Sequence, residues 1–293
     1  MKRRIYTLFV VVLSGLISLA LINCSRNIEA EPKLNYGSNL FYLKNTPIDF
    51  VIKPVKKPAI EGKFTAKPWG LVINENTGEI NINQSETGLK YTVTFTSTDQ
   101  QTVLKTEFVI SGMDYKDSIY VFTNNNHLAK PVFDEDENKT APCNDSNNDG
   151  NEDQNQCEID DPDLDDDGNQ DEPSANSQGL AISKATGQID LKQSLENGAL
   201  GNNLTNGIFK DFKIYYRLND ASDRALNSIT VRVFYFDTMN DIPANLLAEL
   251  KAKQSNSTSI FFSNKTIENS GVKSVEGAMT VKKRPPYLVI VAR

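Results

Sequence analysis

The sequence predicts an all-β fold: two β-sandwiches in tandem, an acidic loop insert in the second, and a small C-terminal helix-plus-strand extension. Three observations carry this. Residues 70–85 (G-L-V-I-N-E-N-T-G-E-I-N-I-N-Q-S) and 179–194 (G-L-A-I-S-K-A-T-G-Q-I-D-L-K-Q-S) agree at eight of sixteen positions, an internal repeat with an offset of 109. Apolar and polar residues alternate with period 2 in the stretches that follow each copy, as in half-buried strands. Clusters of turn-forming residues separate these short stretches, the spacing of a sandwich. At 293 residues with 39% hydrophobic side chains, the chain has length and apolar content for about two domains with their own cores.

Lys2-Arg3-Arg4 followed by an apolar run from Ile5 to Ile22 has the pattern of an export signal. The run is also nearly long enough to span a bilayer, so an uncleaved anchor is the alternative. Leu21-Ile22-Asn23-Cys24 resembles a bacterial lipobox, in which the cysteine carries lipid and becomes the mature N-terminus; Asn23 departs from the small residue usual there. The resemblance implies a signal peptide over 1–23, lipidation of Cys24 and a tether over 24–35. The body is then expected outside the cytoplasm in the cell envelope, held to a membrane through the N-terminal lipid, at the periplasmic or surface face of the outer membrane.

In each repeat the apolar residues fall on strand faces. Leu71 and Ile73 lie on one face of a strand and Ile80 and Ile82 on one face of the next, joined by N-E-N-T-G, whose glycine can take positive φ. Leu180, Ile182, Ile189 and Leu191 repeat the arrangement. Leu89, Tyr91, Val93 and Phe95 then alternate with Lys90, Thr92, Thr94 and Thr96; the second copy continues with Phe212, Ile214, Tyr216 and Leu218, then Ile229, Val231, Val233 and Tyr235. The signature G-L-x-I-x-x-x-T-G-x-I resembles the immunoglobulin-like domains of bacterial surface proteins, related in architecture to cadherin-like modules. This resemblance implies immunoglobulin-like domains over 36–112 and 113–237. It implies spacer, adhesion or carbohydrate-handling roles without choosing among them.

After Thr238 the pattern changes, and residues 238–293 are expected as a helix and strands that could complete the second domain. Asp241 is placed to cap a helix with Pro243 in its first turn and Leu246, Leu247 and Leu250 on its apolar face. Ile260-Phe261-Phe262 and Tyr287–Val291 read as strands.

The span from Pro131 to Gly179 is 36 residues longer than its counterpart from Pro58 to Gly70, and the extra chain forms an acidic insert over 134–176. Residues 134–172 hold 17 acidic side chains against one lysine, so the net charge of −7 originates in this segment. A charge run is usually a solvated spacer. Here, however, two stretches space oxygen ligands around a glycine bend: Asp145, Asn147, Asp149, Asn151 and Asp153 about Gly150, and Asp163, Asp165, Asp167, Asn169 and Asp171 about Gly168. Side chains at the first, third and fifth positions, a backbone carbonyl from Asn151 or Asn169 and the final Asp can surround Ca2+, which takes six to eight oxygens. The glutamate that closes an EF-hand loop is replaced by Gln156 and Ser174. The pattern with a nearby cysteine resembles thrombospondin type-3 repeats, which wrap calcium without flanking helices. The match covers about residues 143–173. Asn147 lowers the charge of the first loop, so the second is the stronger ligand set. With Cys24 assigned to lipid, Cys143 and Cys157 remain as an even pair in an oxidising compartment, which favours a disulfide over two free thiols.

No catalytic constellation emerges. The single His127 lies in a polar N-N-N-H stretch and reads as a satisfied surface histidine. Trp69, the only tryptophan, is expected at the edge of the core, with stacking on a sugar as the alternative. Lys282-Lys283-Arg284 is short and lacks interleaved aromatics, which argues against a nucleic-acid partner. Two readings follow: a lipid-anchored, calcium-stabilised, non-catalytic binding, adhesion or structural module with a protein or polysaccharide partner, and an accessory carbohydrate-binding component of an extracellular polysaccharide-processing system. Clustered exposed aromatics around Trp69 would favour the second.

Overall fold

Alternation in the sequence becomes alternation in space. Leu89–Ser97 points Leu89, Tyr91, Val93 and Phe95 inward and leaves its lysine and threonines on the outer face. In this computed structural model, which describes residues 33–57, 59–143, 157–254 and 284–293, that strand pairs antiparallel with Val103–Ile110 on one side and Gly62–Lys67 on the other. Leu40–Phe41 extends the sheet in parallel with Val103–Ile110. A three-stranded sheet of Val51–Ile52, Ile80–Asn81 and Val72–Ile73 supplies the facing layer. Phe64, Tyr91, Phe95, Phe108 and Ile110 from the first sheet and Ile52, Ile73 and Ile80 from the second share one core.

The second sandwich is built on a five-stranded sheet in the order Glu158–Ile159, Phe209–Arg217, Asn227–Phe236, Tyr287–Val291, Ser118–Val121. Its inner face packs against Leu128–Ala129, Ile189–Asp190 and Ala181–Ile182, and against the pair Met113–Tyr115 and Pro131–Phe133. The all-β expectation therefore holds, with two sandwiches in tandem.

The C-terminal segment becomes part of the second sheet. Tyr287–Val291 lies parallel to both neighbours, Asn227–Phe236 and Ser118–Val121. Leu288 and Ile290 enter the inner core, while Tyr287, Val289 and Val291 face helix α2 (Ala244–Gln254) through Leu246 and Leu250. A strand covered on both faces between parallel partners needs an unbroken apolar run, which Y-L-V-I-V provides.

Where the repeat copies coincide, they share hydrogen bonds as well as pattern. Ser85 Oγ donates to the Asn81 carbonyl and accepts the Val72 amide; Ser194 Oγ donates to the Asp190 carbonyl and accepts the Ala181 amide. Gly78 and Gly187 both sit at positive φ, at 73° and 72°, and their carbonyls accept the hydroxyls of Tyr36 and Tyr115. A Cβ at Gly78 would also lie 2.8 Å from the Phe64 ring.

Several local expectations are corrected. Leu191, expected on a strand, opens the short helix α1 (Leu191–Glu196), because the Asp190 carboxylate accepts the amides of Lys192 and Gln193 as an N-cap. Asp241 is the third residue of a capping box led by Thr238 over a 3-10 turn, Met239–Asp241, and α2 begins after Pro243. Trp69 is 61% exposed, two residues beyond the end of the Gly62–Lys67 strand and outside the alternation that turns side chains to the core. His127 is partly buried, with Nδ1 3.1 Å from Asp190 Oδ1 at the cap of α1. Ile260-Phe261-Phe262 lies outside the described residues.

The two sandwiches join through a buried polar knot. Tyr216, fully buried, accepts the Met113 amide and bonds Thr87 Oγ1 at 2.9 Å, and Asn227 Nδ2 donates to the same Thr87 oxygen. Ala225, from the hairpin after Phe209–Arg217, packs into the first core. Ser111 donates to Asp220, and Lys44 to the Ala221 carbonyl.

The doubly covered strand yields a prediction. Ile290→Ala will lower unfolding free energy by about 2–5 kcal/mol, as for buried large-to-small changes, whereas Ile48→Ala at an exposed site will stay within about 0.5 kcal/mol. Urea denaturation of the two variants checks this.

Candidate metal centre

The acidic insert does not simply loop over the surface. Its second half is stitched to the five-stranded sheet. Glu158–Ile159 pairs as an edge strand with Tyr216 and Arg217, and the Asp160 and Asp161 amides both donate to the Tyr215 carbonyl. Asp160, 1% exposed, turns its carboxylate to the amides of Ala175 (2.6 Å) and Asn176 (2.8 Å), which fastens the far end of the insert beside its Glu158–Ile159 edge strand. Cys143 and Cys157 form a disulfide with Cα atoms 4.8 Å apart.

Between these fastenings lies the second acidic loop. Asp163 is buried, and its two oxygens accept the amides of Asp167 (3.2 Å) and Gly168 (2.7 Å). Asp171 Oδ2 accepts the Leu164 amide, and the Asp171 amide donates to the Pro162 carbonyl, so the loop closes on itself. Gly168 has φ of +88° in open space, which makes its backbone conformation the reason for glycine there. As a result Asp163, Asp165 and Asp171 converge, with a carboxylate oxygen of each within 4.8 Å of the others.

That spacing fits a calcium ion, whose oxygen ligands stand about 2.3–2.6 Å from the metal and hence up to about 5 Å apart across it. An all-oxygen donor set also suits a hard cation. The electrostatics agree. Charge on Asp167, then burial, Asp171 and Asp163, push the Asp165 carboxyl above its ordinary value. Burial also raises Asp163, but the amides of Gly168, Asp167 and Asp166 outweigh it and hold that group low, with Arg217 adding to the effect. The loop thus keeps one carboxylate firmly ionised and crowds a second with like charge, a condition that a cation relieves.

Of the other ligands expected in this loop, Asp167 turns its carboxylate to the backbone and side-chain amide of Asn169 and stands outside the converging trio. The whole first loop, Asp145, Asn147, Asp149, Asn151 and Asp153, lies outside the described residues, as does Cys24.

Sequence reasoning missed the cation beneath the loop. Arg217, 4% exposed at the end of its strand, donates 2.8 Å to the Asp163 carbonyl and 3.4 Å to Glu158, which also pairs with Arg224. Nearby, the Tyr215 hydroxyl donates to Glu172 at 2.6 Å and accepts from Lys213. The available signal was an arginine closing an otherwise apolar strand segment, I-Y-Y-R, in the sheet that receives the insert.

No protein-family model matches the chain, and no curated protein does. Solved structures that are similar to it include two at 12% identity or less. One is the EC1-2 domain pair of human protocadherin-24, at 9% identity over 68% of this chain and 94% of that chain, with a TM-score of 0.23. The other is a SusE-like, surface-located polysaccharide-binding protein from the heparin utilisation locus of Bacteroides thetaiotaomicron, at 12% identity over 69% of this chain and a TM-score of 0.21; the chain spans 33% of its length.

Removing the buried guanidinium takes the side-chain donor from the Asp163 carbonyl, while Glu158 keeps Arg224. Arg217→Ala is therefore expected to cost about 1–3 kcal/mol, the scale of a buried acceptor losing its partner, read by urea denaturation.

Proposed function

We propose that this chain is a membrane-anchored extracytoplasmic lipoprotein, a non-catalytic binding, adhesion or structural module whose acidic insert is stabilised by calcium. The observation that carries the calcium reading is the convergence of Asp163, Asp165 and Asp171 on a loop fastened to the sheet by Asp160 and Arg217. Asp167 and the Asn169 carbonyl complete the set on ion binding, and Asp145, Asn147, Asp149, Asn151 and Asp153 form a second site of the same design. Anchoring rests on the signal pattern over 1–23 and lipidation of Cys24 in the L-I-N-C motif. Immunoglobulin-like domains over 36–112 and 113–237, the latter completed by 238–293, present the insert to a protein or polysaccharide partner in the cell envelope, at the outer membrane.

Calorimetric titration with calcium tests the reading. Saturable binding with a Kd of about 10⁻⁴–10⁻³ M, the range of extracellular modules, is expected for the wild type, and loss of the second-loop heat for Asp163→Ala/Asp165→Ala/Asp171→Ala. An unchanged titration in the variant would exclude this loop as the site.

One observation favours a second reading, an accessory that binds polysaccharide: the Trp69 ring is 61% exposed, a flat apolar face free to stack on a sugar. No aromatic ring pairs with it among the described residues, so the site would be a single stacking platform. Because Trp69 is the only tryptophan, its fluorescence reports directly. A saturable shift with an added polysaccharide, lost in Trp69→Ala by a second readout such as calorimetry, would support this reading; an emission unaffected across acidic and neutral polysaccharides would count against it.

A further inference from the structure

The first sandwich has two distinct ends. One carries Thr87, Gly88 and Gly112 and meets the second sandwich through Tyr216. At the other end, where Gly62 pairs with Ser97 and the Thr98 amide reaches the Glu61 carbonyl, the described chain begins. Asn35 bridges to Lys56, its amide donating to the Lys56 carbonyl and its carbonyl accepting the Val55 and Lys56 amides at 2.8–3.2 Å, and the Tyr36 hydroxyl reaches the Gly78 carbonyl in the turn at the same end. The loop that follows Ile52 is thereby held beside Asn35, two residues from Lys33, where the described chain begins.

The surface of this end is unlike an ordinary solvated turn. Val55 is 65% exposed and Ile60 48% exposed. Lys53 and Lys63 are taken up by Glu79 and Glu75, but Lys33, Lys56 and Lys57 are exposed and make no ion pair with a described residue. Set against Glu61 and Asp99, they leave a net charge of +1 on the described part of this end. Residues 25–32 separate Cys24 from Lys33, a reach of at most about 30 Å when fully extended, no more than the length of the nine-residue central strand. A lipid on Cys24 would therefore tether the chain to the bilayer within about 30 Å of this end.

We propose that this end of the first sandwich, with Val55, Ile60, Lys33, Lys56 and Lys57, docks on the headgroup layer of the membrane that holds the anchor and favours anionic lipid. The inference rests on the lipid-anchored reading above. Aliphatic side chains enter the interface while lysines stay at headgroup level, and each lysine adds attraction to an anionic leaflet. Docking at two points, the lipid and the loop, would orient the tandem so that the acidic insert stands away from a like-charged surface.

The test uses the full lipidated chain in nanodiscs of phosphatidylcholine with and without phosphatidylglycerol, and in detergent. Lysine acylation is followed by mass spectrometry. In anionic discs, labelling of Lys33, Lys56 and Lys57 is expected to slow by roughly fivefold, the scale of one lysine's attraction to an anionic leaflet, while Lys184 and Lys192 on the second sandwich keep their detergent rates. Val55→Ser/Ile60→Ser, which alters only exposed positions, is expected to return the three lysines toward the detergent rate. Co-elution with discs but equal labelling in discs and detergent would overturn the docking alone. Failure to co-elute with discs would overturn the anchoring and the docking together.

Discussion

The second sandwich depends on one constraint, the disposal of negative charge. Of the seventeen carboxylates within residues 134–172, those that lie against the sheet need a positive partner or backbone amides. The structure uses both. Arg217 and Arg224 take Glu158, Lys139 takes Asp134, Lys116 takes Glu137, and Asp160 is satisfied by two backbone amides. Exposed pairs such as Lys116 with Glu137 contribute little to stability. Buried Arg217 and amide-capped Asp160 matter more, because they hold the insert in register with the edge of the sheet. Among the described carboxylates, Asp163, Asp165 and Asp171 are aimed at one another, and like charge from Asp167, Asp171 and Asp163 pushes the Asp165 carboxyl above its ordinary value.

The insert is also why the repeat is imperfect. Both copies keep the serine that ties turn to strand and the positive-φ glycine whose carbonyl receives a tyrosine hydroxyl. In the first copy that framework closes a small sandwich by itself. In the second it must also accept an edge strand from the insert and a C-terminal strand parallel to two neighbours, and the sheet grows to five strands. The tyrosine on each glycine was invisible to pattern matching, since Tyr36 and Tyr115 precede their glycines by different lengths of chain.

Strand faces were legible in the sequence because burial on one side writes a period-2 pattern, as in Leu89–Ser97. The convergence of carboxylates in the second acidic loop was legible because the residues are local, from Asp163 to Asp171. Features decided by distant contacts were not. Trp69, expected at the edge of the core, is 61% exposed beyond the end of its strand, where no local alternation sets its side, and Leu191 looked like a strand residue because the capping role of Asp190 competes with an apolar alternation only two residues long. Arg217 is 54 residues from the carbonyl it holds, and no local pattern announces that bond.

The central claim is that the three converging carboxylates are ligands of one ion. Anomalous X-ray diffraction from crystals grown in calcium tests it most directly. The account predicts a peak about 2.3–2.6 Å from oxygens of Asp163, Asp165 and Asp171. A well-ordered loop with those carboxylates in place and no peak among them would contradict it.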